Sequence, residues 1–289
     1  MTNHIVTCPI CQSLCKLHFT LKYPVYRCVY CHLQLADGAG FNYSFESDLD
    51  EAQRVVGLKE LRQSNFEIII KQIKNFFGGA TISGLEVGVG YGWFLNACKE
   101  QGVKCIGIEP EERFHSLYKK DLLEVRKGFY PVALEDCKDQ FDFIIFNDVL
   151  EHIPDVHQVM AANKKLLKKD GLLIINLPLQ GGIFIRLAEL LYQLGIKSYL
   201  NRLWQFSFHS PHIFYFNKKN LNLLVRSYGF EPCGYFPMNT LDFSSVKERV
   251  KADSKNAGNA WVLSRLILLL RPLIAISQED VGCFFFKKQ

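Results

Sequence analysis

Between Ser83 and Leu177 the chain alternates short apolar runs with stretches of helical period. This alternation constrains the fold more than any other feature. The strand candidates are Ser83–Val87, Lys104–Ile108, the short Glu124–Lys127, Phe141–Phe146 and Leu172–Leu177. The helix candidates between them are Trp93–Gln101, Glu111–Leu123 and Val156–Leu167. Short strands separated by helices imply βαβ units, hence an α/β domain with a parallel sheet and helices on both faces. Ahead of this region, Val55, Leu58, Leu61, Phe66, Ile69, Ile73 and Phe76 recur at intervals of three to five. That spacing predicts an amphipathic helix over 51–77, stopped by Gly78 and Gly79. Beyond it, Asn217 is placed to cap a helix through Ser227, with Gly229 just past the end. Phe230–Phe236 and Gly282–Lys287 read as two closing strands.

Two segments break the rhythm. Residues 179–216 are apolar and rich in aromatics. Residues 244–278 run from a polar stretch into AWVLSRLILLLRPLIAI. That run falls short of the roughly 20 residues a membrane span needs, and Arg265, Arg271 and Pro272 interrupt it. It reads as a buried helix, or as an interfacial helix touching a membrane or a lipid-like substrate. No transmembrane segment and no internal repeat is expected.

A chain of 289 residues with 48% apolar content can build one large domain plus an appendage. The net charge of +5 comes from well-mixed Lys, Arg, Asp and Glu, which argues against a dedicated nucleic-acid binder. No cationic, then apolar, leader is visible at the start. The ten cysteines are therefore expected in a reducing cytosol, as metal ligands or buried thiols.

The first strand candidate runs into LEVGVGYGWF, where Gly88, Gly90 and Gly92 alternate before a helix. Glycine supplies positive φ and removes the side chain where backbone approaches a ligand. The helix behind it offers unpaired N–H groups. The spacing departs from the G-x-G-x-x-G of dinucleotide binders. Glu86, directly before the turn, disfavours a pyrophosphate and suits a ligand carrying an ammonium or sulfonium charge. Glu109 ends the second strand, 21 residues after Gly88, where a carboxylate accepts both ribose hydroxyls. A lone glycine turn is often only a turn; strand, glycine turn, helix, strand and acid together are far more specific.

LEVGVGYGWF, IGIEP, FDFIIFNDVLEHIPD and GLLIINLP resemble the successive motifs of class I S-adenosylmethionine-dependent methyltransferases. The resemblance is closest to the branch with the ubiquinone and menaquinone O-methyltransferases, where VLEH follows the fourth strand. It covers about Phe76 to the C-terminus. It implies a Rossmann-like doubly wound sheet, mostly parallel with an antiparallel last strand. By position it implies that Glu86, Gly88 and Gly90 line the methionine end of the cofactor, that Gly92 belongs to the same cofactor-binding turn, and that Glu109 holds the ribose. Phe129 and Tyr130 would lie near the adenine, where the family more often has an acid. Asn147 and Asp148 would face the cofactor or the acceptor, at the carboxyl edge where open parallel sheets bind ligands.

Methyl transfer asks a protein mainly for orientation and desolvation. A high-pKa oxygen acceptor also needs a base. His152, in VLEHIPD, is a candidate because imidazole titrates near neutrality; alternatively it packs or caps the next helix. His209 and His212, in FSFHSPHIFYF, lie where the resembled branch often places a His close to the acceptor. Asp148 is a second candidate base, unless backbone N–H groups satisfy it.

Cys8, Cys11, Cys28 and Cys31 form C-x2-C-x16-C-x2-C, the spacing of a four-thiolate zinc ribbon. A closed shell of four thiolates leaves no open position, so the expected Zn²⁺ is structural. Cys15 and His32 beside it read as ordinary packing. Only Lys16, Lys22 and Arg27 are firm cations in this module, a thin footprint for phosphate binding. The chain is also similar to bacterial methyltransferases of sugar and cell-surface-glycan pathways. These begin with CxxC…CxxC and pass through a tyrosine-rich linker like FNYSFES. In that group the ribbon packs over the active site and shapes the acceptor pocket.

The expected organisation is a zinc ribbon over 1–40, a linker and amphipathic helix over 41–79, and a methyltransferase domain over 80–289. Helical insertions near 179–216 and 244–278 interrupt that domain. The expected function is methyl transfer from S-adenosyl-L-methionine, to oxygen, on a small-molecule or lipid-linked acceptor, with no nucleic-acid partner. Segments 183–204 and 261–276 would cover the pocket. The expected place is the cytoplasm, with peripheral contact at the inner membrane surface. An RNA methyltransferase and a non-catalytic cofactor-binding module are the alternatives.

Overall fold

The structure, a computed structural model, describes residues 5–38, 41, 51–240 and 280–289. The expected linker beyond Phe41 and the segment 244–278 lie outside the described residues.

The N-terminal module is four strands, β1 (Val6–Thr7), β2 (Leu14–Thr20), β3 (Pro24–Cys28) and β4 (Gln34–Ala36). Helix α1 (Glu51–Phe77) leads into the main domain. There follow β5 (Ser83–Val87), α2 (Trp93–Glu100), β6 (Lys104–Glu109), α3 (His115–Asp121), β7 (Val125–Lys127), β8 (Phe141–Asn147), α4 (Val156–Leu166) and β9 (Leu167–Pro178). The insertion after β9 forms α5 (Ile183–Gln193), α6 (Ser198–Leu203) and the short β10 (Phe214–Tyr215). The chain closes with α7 (Lys218–Arg226), β11 (Phe230–Pro237) and β12 (Val281–Lys288).

The seven-stranded sheet has the order β11-β12-β9-β8-β5-β6-β7. Strands β9, β8, β5, β6 and β7 pair in parallel, and β12 is antiparallel to β9 and β11. This is the Rossmann-like α/β sheet expected from the sequence. Its central strands are apolar throughout because helices cover both faces: Phe143–Phe146 and Leu172–Ile175 are fully buried. Strand order reverses between β5 and β8, so the carboxyl ends of these two strands open the crevice where such sheets bind ligands.

Several sequence boundaries shift. The stretch over 111–123 is not one helix: a 3-10 turn at Glu112–Phe114 precedes α3. In α1, Phe66, Ile69 and Ile73 are buried as the period requires, but Phe76 is 42% exposed at the helix end. Asn217 does cap α7, in a reciprocal capping box with Asn220.

The ribbon strands are not a separate sheet. Strand β10, from the insertion, pairs antiparallel with β4 and extends the order to β1-β2-β3-β4-β10. Phe19, Val25 and Ala36 of the ribbon share a core with Ile185, Leu200, Trp204 and Phe206 of the insertion. Nothing in the local pattern of FYF marked it as a ribbon strand, because its partner lies some 180 residues earlier.

Candidate active site

A cavity of about 1270 Å³ opens at the carboxyl ends of β5, β6 and β8. One end is built by the glycine turn. Gly88 has φ +78, and a Cβ there would stand 2.5 Å from Val149 Cγ2. Gly90 has φ +53 and faces open space. Gly92 does not line the cavity; with φ +76 it caps α2 and packs on Leu123.

Glu86 and Glu109 flank this turn, and both are buried. Glu86 Oε1 accepts from Asn147 Nδ2 at 3.1 Å, while its buried Oε2 has no partner. Burial raises the Glu86 carboxyl to about 8, against the Asn147 hydrogen bond that lowers it. A buried acid with one oxygen unanswered needs a donor from a ligand, and a cationic donor suits it best. Glu109 is pinned by two backbone donors, Gly90 N at 2.8 Å and Glu111 N at 2.9 Å. Its remaining lone pairs can still accept hydroxyls. Burial raises its carboxyl, and these two bonds oppose the shift. Phe129 lines the cavity rim and is 73% exposed. Tyr130 also lines it, but its hydroxyl donates to buried Asn163. This end therefore fits an ammonium at Glu86 and a ribose at Glu109.

The other end gathers groups from distant segments. Asp148 forms an ion pair with Arg62 of α1, rather than bonding backbone N–H groups. Its own backbone has φ +52 and donates to Asn176 O at 2.8 Å. His152 does not cap α4; Asp155 does, accepting from Gln158 N at 2.9 Å. Instead His152 Nδ1 meets Pro211 O at 2.9 Å. A carbonyl can only accept, so Nδ1 carries the proton and the lone pair sits on Nε2. That Nε2 stands 4.0 Å from Glu151 Oε1. The His152 and His212 rings lie 4.7 Å apart, edge to face.

His212 is buried, its Nε2 is 2.9 Å from Gln205 Nε2, and its Nδ1 has no partner. Burial, then the neighbouring His152, drives it well below the ordinary imidazole range, so it is neutral. Glu151 is buried with neither oxygen partnered. Burial, then Asp148, holds its carboxyl well above the usual range. The ligand atoms of Glu151, His152 and His212 all lie within 4.8 Å of one another, so this set could also hold a divalent cation.

His209 is not part of that group. It crosses to Glu111, with Nε2 3.1 Å from Oε1. The loop before β10 thus touches both ends of the cavity. Sequence reading missed Arg62, Glu111 and Glu151. Glu151 stood inside the quoted VLEH; Arg62 sits on an amphipathic helix with no local signal.

The four cysteines of the ribbon meet as the spacing required. Cys8 Sγ and Cys31 Sγ are 3.5 Å apart, Cys11 Sγ and Cys28 Sγ 3.4 Å, and all four fall within 4.8 Å of one another. Tyr30 N and Cys31 N both donate to Cys28 Sγ at 3.4 Å. The Cys31 hydrogen bond pulls the Cys8 thiol down to about 5, against burial. The cluster is compatible with Zn²⁺. Cys15 is buried beside it, and His32 is exposed at φ +61. Contrary to the expectation for glycan methyltransferases, no described ribbon residue lines the cavity.

The family of methyltransferase domains matches residues 60–233. The chain belongs to that family. An uncharacterized methyltransferase of Mycobacterium leprae is 28% identical over 119 residues, 40% of this chain and 42% of that one. A ubiquinone biosynthesis O-methyltransferase of Pelagibacter ubique is 31% identical over 98 residues, 32% of this chain and 40% of that one. The chain thus spans about two fifths of the length of these curated relatives. Among solved structures, an S-adenosylmethionine-dependent methyltransferase from Archaeoglobus fulgidus matches with a TM-score of 0.50 and 17% identity. That match covers 80% of this chain and 94% of that one. A cyclopropane synthase from Mycobacterium tuberculosis matches with a TM-score of 0.50, 17% identity, and 76% and 84% coverage. At these identities the structures share the methyltransferase fold alone.

Proposed function

We propose that this protein transfers a methyl group from S-adenosyl-L-methionine to an oxygen of a small or lipid-linked acceptor: a sugar, a cell-surface glycan precursor or a quinone-like lipid. The observation that carries the reading is the buried, unanswered Oε2 of Glu86 beside the glycine turn, with Glu109 pinned nearby. When bound, the cofactor supplies an electrophilic methyl group on its sulfonium. Glu86 would hold its ammonium, Glu109 its ribose hydroxyls, and the turn from Gly88 to Gly90 would admit it closely. Asn147 orients Glu86, and Phe129 covers the adenine side.

On the acceptor side His152 is the base, since its Nδ1 bond to Pro211 O directs the Nε2 lone pair away from that loop. Neutral His212 and Gln205 orient the acceptor. Asp148, engaged by Arg62, shapes the pocket rather than taking the proton, and His209 with Glu111 ties the loop over the cofactor end. Exposed Leu187, Leu190, Leu194 and Ile196 form an apolar ridge along α5 and its exit, which supports the lipid-linked arm of the reading. Among the described residues no helix is long and apolar enough to cross a membrane. Ribbon Lys22 is bonded to Phe206 O, which leaves still fewer cations for RNA.

A divalent cation on Glu151, His152 and His212 is a second reading, favoured by the two unpartnered Glu151 oxygens. Activity lost on chelation while the ribbon keeps its zinc, and restored by Mg²⁺ or Mn²⁺, would select it. The deciding experiment incubates the protein with methyl-labelled cofactor and separate lipid, glycan-nucleotide and RNA extracts. Label in lipid or glycan is expected. Label in RNA, or no cofactor binding by calorimetry, sinks the reading.

A further inference from the structure

No described ribbon residue lines the cavity, yet both of its metal-binding knuckles are hydrogen-bonded to the helices that directly follow the acceptor-side groups in the chain. In the first knuckle, Pro9 lies between Cys8 and Cys11, and its carbonyl accepts from His157 Nε2 at 2.6 Å. His157 sits in the first turn of α4, five residues after His152, and its Nδ1 accepts from Tyr228 O–H at 2.9 Å. In the second knuckle, the Cys31 carbonyl accepts from Asn217 Nδ2 at 3.2 Å and from Asn220 Nδ2 at 3.4 Å. The Tyr30 carbonyl accepts from Lys219 Nζ at 2.9 Å. These three donors are the start of α7, two residues beyond cavity-lining Tyr215.

Between the knuckles and the site runs a sheet. Ala36 N donates to Ile213 O at 2.8 Å, and Phe214 and Tyr215 pair with Leu35 and Gln34. Ile213 N in turn donates to Glu151 O at 2.9 Å. His212 and Glu151 are thus held in register by one backbone ladder whose outer edge is the ribbon. No comparable bond joins a knuckle to the glycine turn or to Glu109 among those described.

We infer that the four-cysteine ribbon is a clamp that positions the acceptor-side group Glu151, His152 and His212 from behind, and that His157 and Asn220 are positioning residues transmitting the state of the two knuckles. Loss of the metal therefore disorders acceptor binding and leaves cofactor binding intact. The inference rests on reading the four thiols as a zinc site and His152 with His212 as acceptor-side groups.

The physical basis is that a metal joining four thiolates fixes both knuckle loops, and with them the carbonyls of Pro9, Tyr30 and Cys31 that accept from α4 and α7. Without it the cysteines take up protons and only weak thiol contacts such as Cys8–Cys31 link the two loops, so the geometry that presents Pro9 O and Cys31 O is no longer fixed. A buried Asn220 whose amide loses its acceptor carries an unpaired polar group, which moves the start of α7 rather than remaining in place. Displacements of about 1 Å at a catalytic pair cost up to about 100-fold in rate.

The test uses full-length protein labelled in its histidine rings, with the His152 and His212 resonances assigned through His152→Gln and His212→Gln. Zinc is removed with a chelator and then restored, while cofactor affinity is followed by calorimetry. The expected result is that both resonances shift on zinc loss and return with zinc. Cofactor Kd stays within about twofold, because Glu86 and Glu109 are built on other elements. His157→Phe and Asn220→Ala are expected to shift the same resonances with zinc still bound, and His157→Gln, whose amide can reach Pro9 O, to restore them. Resonances that stay in place in His157→Phe and Asn220→Ala overturn the inference, as does a cofactor affinity that falls in step with zinc loss. Absence of zinc in the wild type would overturn the dependence on metal, and the two variants then decide whether the ribbon contacts alone position the group. Failure of cofactor binding in the wild type would instead sink the proposed function.

Discussion

The two ends of the cavity are made in different ways. The cofactor end comes chiefly from one βαβ unit, with Asn147 of β8 donating to Glu86. Its acids sit at the ends of adjacent strands, and backbone N–H groups of Gly90 and Glu111 fix Glu109. The acceptor end is assembled from three distant pieces: Arg62 of α1, the Asp148–His152 stretch after β8, and the Gln205–His212 loop before β10. Side chains and a short ladder hold it, rather than a single turn. An end built from local backbone geometry is rigid and self-contained. An end built from distant side chains depends on everything packed behind it.

That contrast makes the halves separable, and four experiments bear on it. The largest effect is expected from His152→Ala: turnover falls by about 10²- to 10⁴-fold, as for loss of a general base, with cofactor Kd unchanged. A parallel loss of cofactor affinity in calorimetry would show that the halves are not independent. Next, Glu86→Gln removes the anion facing the cofactor ammonium. Charged hydrogen bonds contribute about 1.5–3 kcal/mol, so cofactor Kd rises about 10- to 100-fold. Wild-type affinity in this variant would remove Glu86 from the site.

The third effect is on pH. The Glu86 carboxyl titrates at about 8 in the empty protein and must be ionised to pair with a cation. Cofactor binding lowers that value, so affinity is full above 8. Below 8 it falls about tenfold per pH unit, until the lowered value of the complex is reached. Calorimetry from pH 6 to 9 giving a flat profile in that window would contradict the assignment. The smallest effect is on the α5 ridge. Leu190→Asp is exposed, so turnover on a water-soluble acceptor stays within about twofold, whereas binding to anionic vesicles weakens. Unchanged vesicle binding would break the link between that ridge and lipid.

The same contrast explains what the amino-acid sequence made legible. Gly88 must be glycine because φ is positive and Val149 occupies the space of a Cβ, so the turn announces itself by residue type. Glu109 follows at the distance one helix and one strand require. The sheet was legible because strands buried on both faces read as continuous apolar runs. Arg62 carries no such mark, since any exposed helix position tolerates an arginine, and only the fold shows that it meets Asp148. His209 and His212 looked equivalent, three residues apart in one loop. The structure sends one to Glu111 and the other to His152, a choice set by where the loop crosses the sheet edge. Glu151 was hidden by its own burial, because a carboxylate among VL and H resembles a helix-capping surface residue until its environment is known.

Strand β10 has a practical consequence. It is only two residues long, and its partner edge belongs to the first forty residues of the chain. A truncation at the boundary suggested by sequence would not release a free-standing enzyme. It would strip the cover from Phe214, leave an open strand edge, and take away the Cys31 carbonyl that accepts from the asparagine pair at the start of α7. Such a fragment is expected to be insoluble, and transplanting the ribbon onto another member of the family would fail unless the insertion over 179–216 travelled with it.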